Sequence, residues 1–82
     1  MSELRWESRG MYDYYLDHVG KVVGRTFYLF SEMRYDAEIE VDGMFRRSGT
    51  YVSLEDARRA VERAVVEHAL AKVQSKENTA HE

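Results

Sequence analysis

Residues 34–56 read RYDAEIEVDGMFRRSGTYVSLED, and this segment carries the signals for a strand, a turn, a second strand and a helix. From Arg34 to Asp42 the side chains alternate between two sets, one containing Tyr35, Ala37, Ile39 and Val41 and the other containing Asp36, Glu38, Glu40 and Asp42. A period of two predicts a strand with one buried face. Asp42-Gly43 supplies the positive φ angles of a tight hairpin turn. The chain is then predicted to return as a strand over residues 44–52, with either a bulge or a close approach at Gly49.

The helix is predicted to begin at Leu54, after Ser53. The Ser53 hydroxyl can accept a free backbone N–H of the first turn, and Asp56 completes a variant of the capping box. Helical spacing gathers one apolar arc toward the sheet, formed by Leu54, Ala57, Ala60, Val61, Ala64, Val65, His68 and Ala71. Because this arc is rich in alanine, the helix is predicted to lie close to a sheet with larger side chains.

A second apolar stripe, with i, i+4, i+7 spacing, is formed by Val66, Leu70 and Val73. It lies almost opposite the first arc, so one helix cannot turn both toward one sheet. The stripe therefore packs either beneath another element of the same chain, such as the N-terminal strand, or against a partner or second copy.

The first half of the chain predicts three further strands, over residues 1–8, 11–19 and 22–30. The third is apolar on both faces, which is typical of the middle of a sheet. The predicted fold class is α+β, an antiparallel β-meander of four to five strands packed against one C-terminal α-helix. Residues 1–73 form one predicted domain, and residues 74–82 a polar C-terminal tail.

Composition restricts the chemistry of this 82-residue chain. It has no cysteine, which excludes disulfides, thiolate zinc sites and thiol nucleophiles. No catalytic triad, phosphate-binding loop or metal-ligand motif is present, so we expect a non-enzymatic protein without cofactor or metal. No signal peptide or apolar run of membrane length is present, which predicts a cytoplasmic protein without membrane contact.

The most unusual sequence feature is the acidic row of Asp36, Glu38, Glu40 and Asp42. Alternate strand residues lie about 6.7 Å apart, so the row spans about 20 Å. It is either a solvated sheet face that discourages aggregation or a binding face for a basic surface on a partner protein. Tyr15, Asp13 and Asp17 share one side of the second strand, where Tyr15 is predicted to be exposed and the aspartates extend the acidic character. Cross-strand pairing with Arg34, Arg46 and Arg47 is an alternative use of the row.

The spacing of Tyr35, Ala37, Ile39, Val41 and Gly43, followed by residues 48–51 and by Leu54, Glu55, Ala57 and Ala60, resembles the sheet-plus-helix DNA-binding domains of integrase N-termini and plant ethylene-response factors. That resemblance implies a sheet laid in the DNA major groove, with Arg34, Arg46 and Arg47 as contacts. The four carboxylates of the row would repel phosphates, which argues against this use. The compact layout, with Trp6 near the start and Gly20-x-Val22-Val23-Gly24 midway, also resembles short accessory proteins of phages and prophages.

The leading prediction is a non-enzymatic protein-interaction module, an anti-CRISPR-like inhibitor of the phage type that presents its acidic sheet face to a basic nucleic-acid-binding surface of a host protein. The net charge of −3 favours such a basic protein partner over nucleic acid. One alternative is a small DNA-binding or transcription-regulating domain that uses Arg34, Arg46 and Arg47. Another is a structural or assembly protein that forms a homodimer through Val66, Leu70 and Val73.

Overall fold

A computed structural model describes residues 4–80, with side chains described as far as residue 72. Five strands precede one helix: β1 Arg5–Arg9, β2 Tyr12–Leu16, β3 Val22–Leu29, β4 Arg34–Val41, β5 Met44–Tyr51 and α1 Leu54–Ala80. The strands form one antiparallel sheet in the order β1-β2-β3-β4-β5, with α1 on one side. The predicted α+β class is confirmed, and the strand that is apolar on both faces is the central one.

The β4–β5 hairpin follows its sequence signals. Asp42 and Gly43 adopt φ angles of 52° and 83°, and a Glu40 carboxylate oxygen accepts the Gly43 N–H at 2.5 Å. Ala37 pairs with Gly49 while Glu38 pairs with Arg47, so Ser48 is the extra residue of a bulge. The bulge expected at Gly49 therefore lies one residue earlier, at Ser48, and Gly49 itself is paired with Ala37.

Helix α1 begins at Leu54, directly after the predicted N-cap residue Ser53. Ser53 Oγ accepts the Asp56 N–H at 3.1 Å. The helix continues to Ala80, so residues 74–80 of the predicted polar tail are helical, and residues 81–82 lie outside the described part of the chain. A helix of 27 residues is about 40 Å long, whereas a strand of eight residues spans about 27 Å. The C-terminal turns of α1 consequently project past the end of the sheet.

The core lies between α1 and the sheet. Ala57, Ala60 and Val61 are buried against Tyr15 and Ala37. Partly buried side chains surround them: Trp6, Val23, Tyr35, Ile39, Tyr51 and Val65. The predicted arc of α1 thus faces the sheet as far as His68, whereas Ala71 is exposed. Small residues on both sides allow the helix to lie close to the sheet.

One prediction about exposure is wrong, and one of the two alternatives for the second stripe of α1 fails. The sequence predicts an exposed Tyr15, but Tyr15 is only 8% exposed because its ring stacks on Trp6 at 4.7 Å, under α1. For the second stripe of α1, the sequence predicts packing beneath the N-terminal strand or against a partner, and the first of these alternatives fails. Val66 and Leu70 remain 53% and 56% exposed, because α1 packs on β3, β4 and β5 with its other side. The Val73 side chain lies outside the described residues.

Candidate interaction face

The sheet face opposite α1 is not covered by any element that residues 4–80 form. Strand alternation and the pairing register assign the side chains to this face. We call it the open face, and it consists of Arg5, Glu7, Arg9, Tyr12, Tyr14, Leu16, Val22, Arg25, Phe27, Leu29, Arg34, Asp36, Glu38, Glu40, Phe45, Arg47 and Thr50. Leu16 and Asp36 are buried within it by the neighbouring side chains. It contains five arginines and four carboxylates, although the whole chain carries a net charge of −3. The open face is therefore close to neutral.

The carboxylates of the acidic row in β4 lie on one face of the sheet, as predicted, but they are neutralised by basic side chains of the same chain. Arg47 Nε lies 2.7 Å from Asp36 Oδ1, and Arg25 Nε donates to Glu38 Oε1 at 2.6 Å. The third carboxylate, that of Glu40, has Lys21 Nζ at 3.7 Å. The fourth residue, Asp42, lies exposed in the hairpin turn, beyond the end of β4. The row is consequently a set of ion pairs along one strand, and only its last member is a free surface carboxylate in the described contacts.

Asp36 is the most constrained of these acids. Its side chain is fully buried, and no described donor is aligned for a hydrogen bond to either carboxylate oxygen, despite the nearby Arg47. Burial raises the pKa of Asp36 above its ordinary value, and the neighbouring Glu38 raises it further, while Arg47 acts in the opposite direction. The net shift means that desolvation outweighs the attraction of Arg47.

An arginine and several aromatic rings form the centre of the open face. The Arg25 guanidinium carbon lies 3.9 Å from the Phe45 ring centroid, 5.3 Å from that of Tyr12 and 5.7 Å from that of Phe27. Tyr12 also stacks on Tyr14 at 5.7 Å. Such cation–π contacts hold the arginine in place while its pair with Glu38 satisfies its charge. The result is a half-buried aromatic and arginine cluster on an uncovered surface.

The structure separates the other predicted site residues. Asp13 lies on the helix side, where its carboxylate accepts from Arg58 Nη2 at 3.1 Å. Asp17 organises the β2–β3 turn by accepting the N–H groups of Val19 and Lys21, and these donors lower its pKa. With Tyr15 in the core, none of these three residues belongs to the open face.

The three arginines of the nucleic-acid alternative do not share one face. Arg47 lies opposite Glu38 on the open face, whereas its neighbour Arg46 lies opposite Ile39 on the helix side. Arg34 begins β4 opposite Leu29, at the margin of the open face. Alternation within β5 therefore divides the set, as it must for adjacent strand residues.

Sequence reasoning missed the aromatic cluster. Its signal is the period-two spacing of Tyr12, Tyr14 and Leu16, but the same spacing is equally typical of the core side of a strand. Only the register, which sets Tyr12 opposite Phe27 and Tyr14 opposite Arg25, shows that this side faces away from α1.

Within residues 4–80, no group of three or more acidic or histidine side chains is arranged to hold a metal ion. The described helix lacks an apolar stretch long enough to cross a bilayer. Comparison with known proteins found no matching family model, no matching curated sequence and no matching solved structure. The resemblances to DNA-binding domains and to phage accessory proteins stay predictions from the sequence.

Proposed function

We propose that this chain is a non-enzymatic interaction module that binds a protein partner through the open face. The observation that carries the proposal is the Arg25 cluster: four aromatic rings and a guanidinium lie together on a sheet face with no element of the described chain above it. Tyrosine and arginine are enriched among the residues that dominate binding energy in protein interfaces. An uncovered patch of this composition supports a docking surface.

The ion pairs bear on the chemistry of the partner. Because Asp36 and Glu38 already have arginines beside them, a partner that is only basic would have to displace Arg47 or Arg25 to reach them. A partner surface with both aromatic or aliphatic groups and paired charges matches the open face better. The inhibitor role against a basic nucleic-acid-binding surface remains a narrower form of the proposal, and the exposed Asp42 with the Glu40–Lys21 pair is the part of the row that supports it.

A second candidate is binding of single-stranded nucleic acid. The specific observation that favours it is the coexistence of stacked rings, Tyr12 and Tyr14, with Arg9 and Arg25 on one face. Bases stack on such platforms, and arginines add cation–π contacts. The four carboxylates on the same face oppose it, because they repel phosphates.

The test compares an open-face variant with a matched variant on the helix side of the same sheet. Tyr14→Ala removes a ring from the open face, whereas Tyr28→Ala removes one on the helix side, where Tyr28 packs on Tyr35 at 4.9 Å. Each protein is used to capture partners from a lysate of the organism that encodes it, and captured proteins are then titrated individually. We expect Tyr14→Ala to weaken binding at least about tenfold, a loss of about 1.4 kcal/mol or more, and folded Tyr28→Ala to bind like the original chain.

Fluorescence anisotropy with single-stranded oligonucleotides separates the two candidates. Binding that is lost in Tyr14→Ala and that weakens steeply with added salt would support the nucleic-acid candidate and contradict the protein-partner proposal. Equal protein capture by Tyr14→Ala and the original chain would also contradict the proposal.

A further inference from the structure

A cavity of about 200 Å³ lies between the second half of α1 and the ends of β3 and β4. Its lining is mostly apolar and consists of Val23, Ile39, Glu40, Val65, His68, Ala69 and Lys72. An apolar cavity of about 150 Å³ is large enough to bind benzene. The cavity beside α1 therefore has room for one aliphatic side chain.

Exposed apolar side chains lie next to this cavity on the same helix. Val66 and Leu70 are 53% and 56% exposed. At about 100° per residue they lie on one flank of Ala69, while Val65 and the cavity lie on the other flank. One turn earlier the same face of α1 is covered, because Trp6 Nε1 donates to Glu62 at 2.9 Å. The uncovered face thus begins at Val66. The cavity lies on one flank of this face, and the exposed side chain of Leu70 lies on the other flank.

We propose that a second copy of this chain covers this face, with the two α1 helices parallel about a two-fold axis and Leu70 of each copy inserted in the cavity of the other. A two-fold axis parallel to the two helices sets each flank of one helix against the opposite flank of the other helix. Equivalent residues of the two copies stay at the same level along the axis. Leu70 of one copy then stands opposite the cavity of the other. An antiparallel pair would place both cavities on one side and Leu70 against Leu70. Ala69 lies between Leu70 and the cavity, and its side chain is small enough to let the two helices approach closely.

Shape complementarity supports the parallel arrangement. The cavity and Leu70 lie at the same level along α1, on opposite flanks of Ala69, so each copy offers the cavity that Leu70 of the other copy can fill. A symmetric interface needs a self-complementary patch, and this face provides one.

Sedimentation over a wide range of protein concentrations tests the proposal. We expect a dimer whose dissociation constant rises at least about tenfold in Leu70→Ala, since a buried leucine contributes more than the roughly 1.4 kcal/mol that a factor of ten requires. Ala69→Leu fills the cavity from within its own chain and is expected to produce a folded monomer. Met44→Glu replaces another exposed apolar residue, on β5, and should leave the dimer intact.

Orientation is tested with single cysteines, because the chain contains none of its own. In the parallel dimer, Val66→Cys and Ala69→Cys, three residues apart on the uncovered face, should each form a disulfide with the same residue of the second copy. In an antiparallel dimer, at most one of these two positions lies at the two-fold axis, and that result would overturn the arrangement. A monomer at all concentrations would overturn the proposal. A dimer that is insensitive to both Leu70→Ala and Ala69→Leu would overturn it as well.

Discussion

Gly24 lies directly beneath Val61: a Cβ atom built on Gly24 would stand only 2.4 Å from Val61 Cγ1. No pair of non-bonded carbon atoms in a folded protein packs at that separation, so a side chain at position 24 would force α1 away from the sheet. The buried Ala37, Ala57 and Ala60 fill the rest of this close contact. Small residues therefore set the distance between the helix and the sheet.

Gly24→Ala is expected to lower the free energy of unfolding by about 1–3 kcal/mol, the usual cost of overpacking a core. Urea denaturation followed by circular dichroism measures the change. Adding Val61→Ala to this variant removes the clashing methyl group, so the double variant should lose less stability than the sum of the two single changes. Additive losses would contradict a direct Gly24–Val61 contact.

Gly49→Ala is the matched control for that prediction. A Cβ at Gly49 would meet the Tyr51 hydroxyl oxygen at 2.9 Å and two Tyr51 ring carbons at 3.2 Å, and this half-buried ring has more room to shift than the buried Val61 methyl group under α1. We expect a smaller change than for Gly24→Ala. A larger loss at position 49 would show that the β5 bulge, and not the helix contact, limits stability.

Asp36→Asn should stabilise the protein at neutral pH and have a vanishing effect in acid. Because the folded-state pKa of Asp36 is raised above 3.8, the folded chain binds more protons than the unfolded chain between these two values. The free energy of unfolding of the original chain therefore falls as pH rises through that window, whereas the asparagine side chain of the variant does not titrate. Denaturation curves of both proteins across this range test the prediction, and parallel pH profiles would contradict it.

Asp17→Asn is expected to change the free energy of unfolding in the opposite direction. The N–H donors of Lys21 and Val19 lower the pKa of Asp17 below 3.8, so its ionised form contributes stability that is lost as pH falls through the folded-state value. This variant should be less stable than the original chain at neutral pH, and the difference should shrink in acid. Stabilisation by both substitutions at neutral pH would refute the assigned directions.

Trp6→Phe should lower the free energy of unfolding by about 1 kcal/mol. Phenylalanine keeps a ring against Tyr15 but removes the Nε1–H that donates to Glu62, and the net value of such a hydrogen bond is about 0.5–1.5 kcal/mol. Glu62→Gln retains an acceptor and should change stability less. Chemical denaturation followed by far-ultraviolet circular dichroism suits all three proteins. Unchanged stability of Trp6→Phe would show that this bond does not fasten β1 to α1.

Arg25→Lys should also be destabilising, by about 1 kcal/mol, because an ammonium cannot reproduce a planar guanidinium that faces Phe45 while it bonds to Glu38. The control is Arg59→Lys, since Arg59 is 63% exposed and pairs with Glu55 within one helix turn. Exposed pairs of that type contribute at most about 0.5 kcal/mol. Thermal unfolding of both variants distinguishes them, and equal shifts would contradict a structural role for the Arg25 cluster.

Local signals in the sequence were sufficient for the second half of the fold. Alternation in β4, the Asp42-Gly43 turn and the Ser53 cap each act within a few residues of chain, so they can be recognised without tertiary information. The central position of β3 followed from its two apolar faces. These features depend on backbone geometry and solvent alone.

The candidate site was harder to predict because it depends on long-range register. Both sides of β2 carry tyrosines, Tyr12 and Tyr14 on one side and Tyr15 on the other, so periodicity alone could not identify the side beneath α1. Likewise, the acidic row looks unbalanced until Arg25 of β3 and Arg47 of β5 are placed beside it. Spacing along one strand does not reveal what the neighbouring strands contribute.

Because α1 projects beyond the sheet, a dimer formed through its end would present two open faces to a binding partner. The open face and the uncovered end of the helix are different surfaces, so dimerisation through one leaves the other accessible. Two open faces joined by a pair of helices favour a target with repeated binding sites, because binding of the second face becomes intramolecular. Avidity can then exceed the strength of either single contact by orders of magnitude.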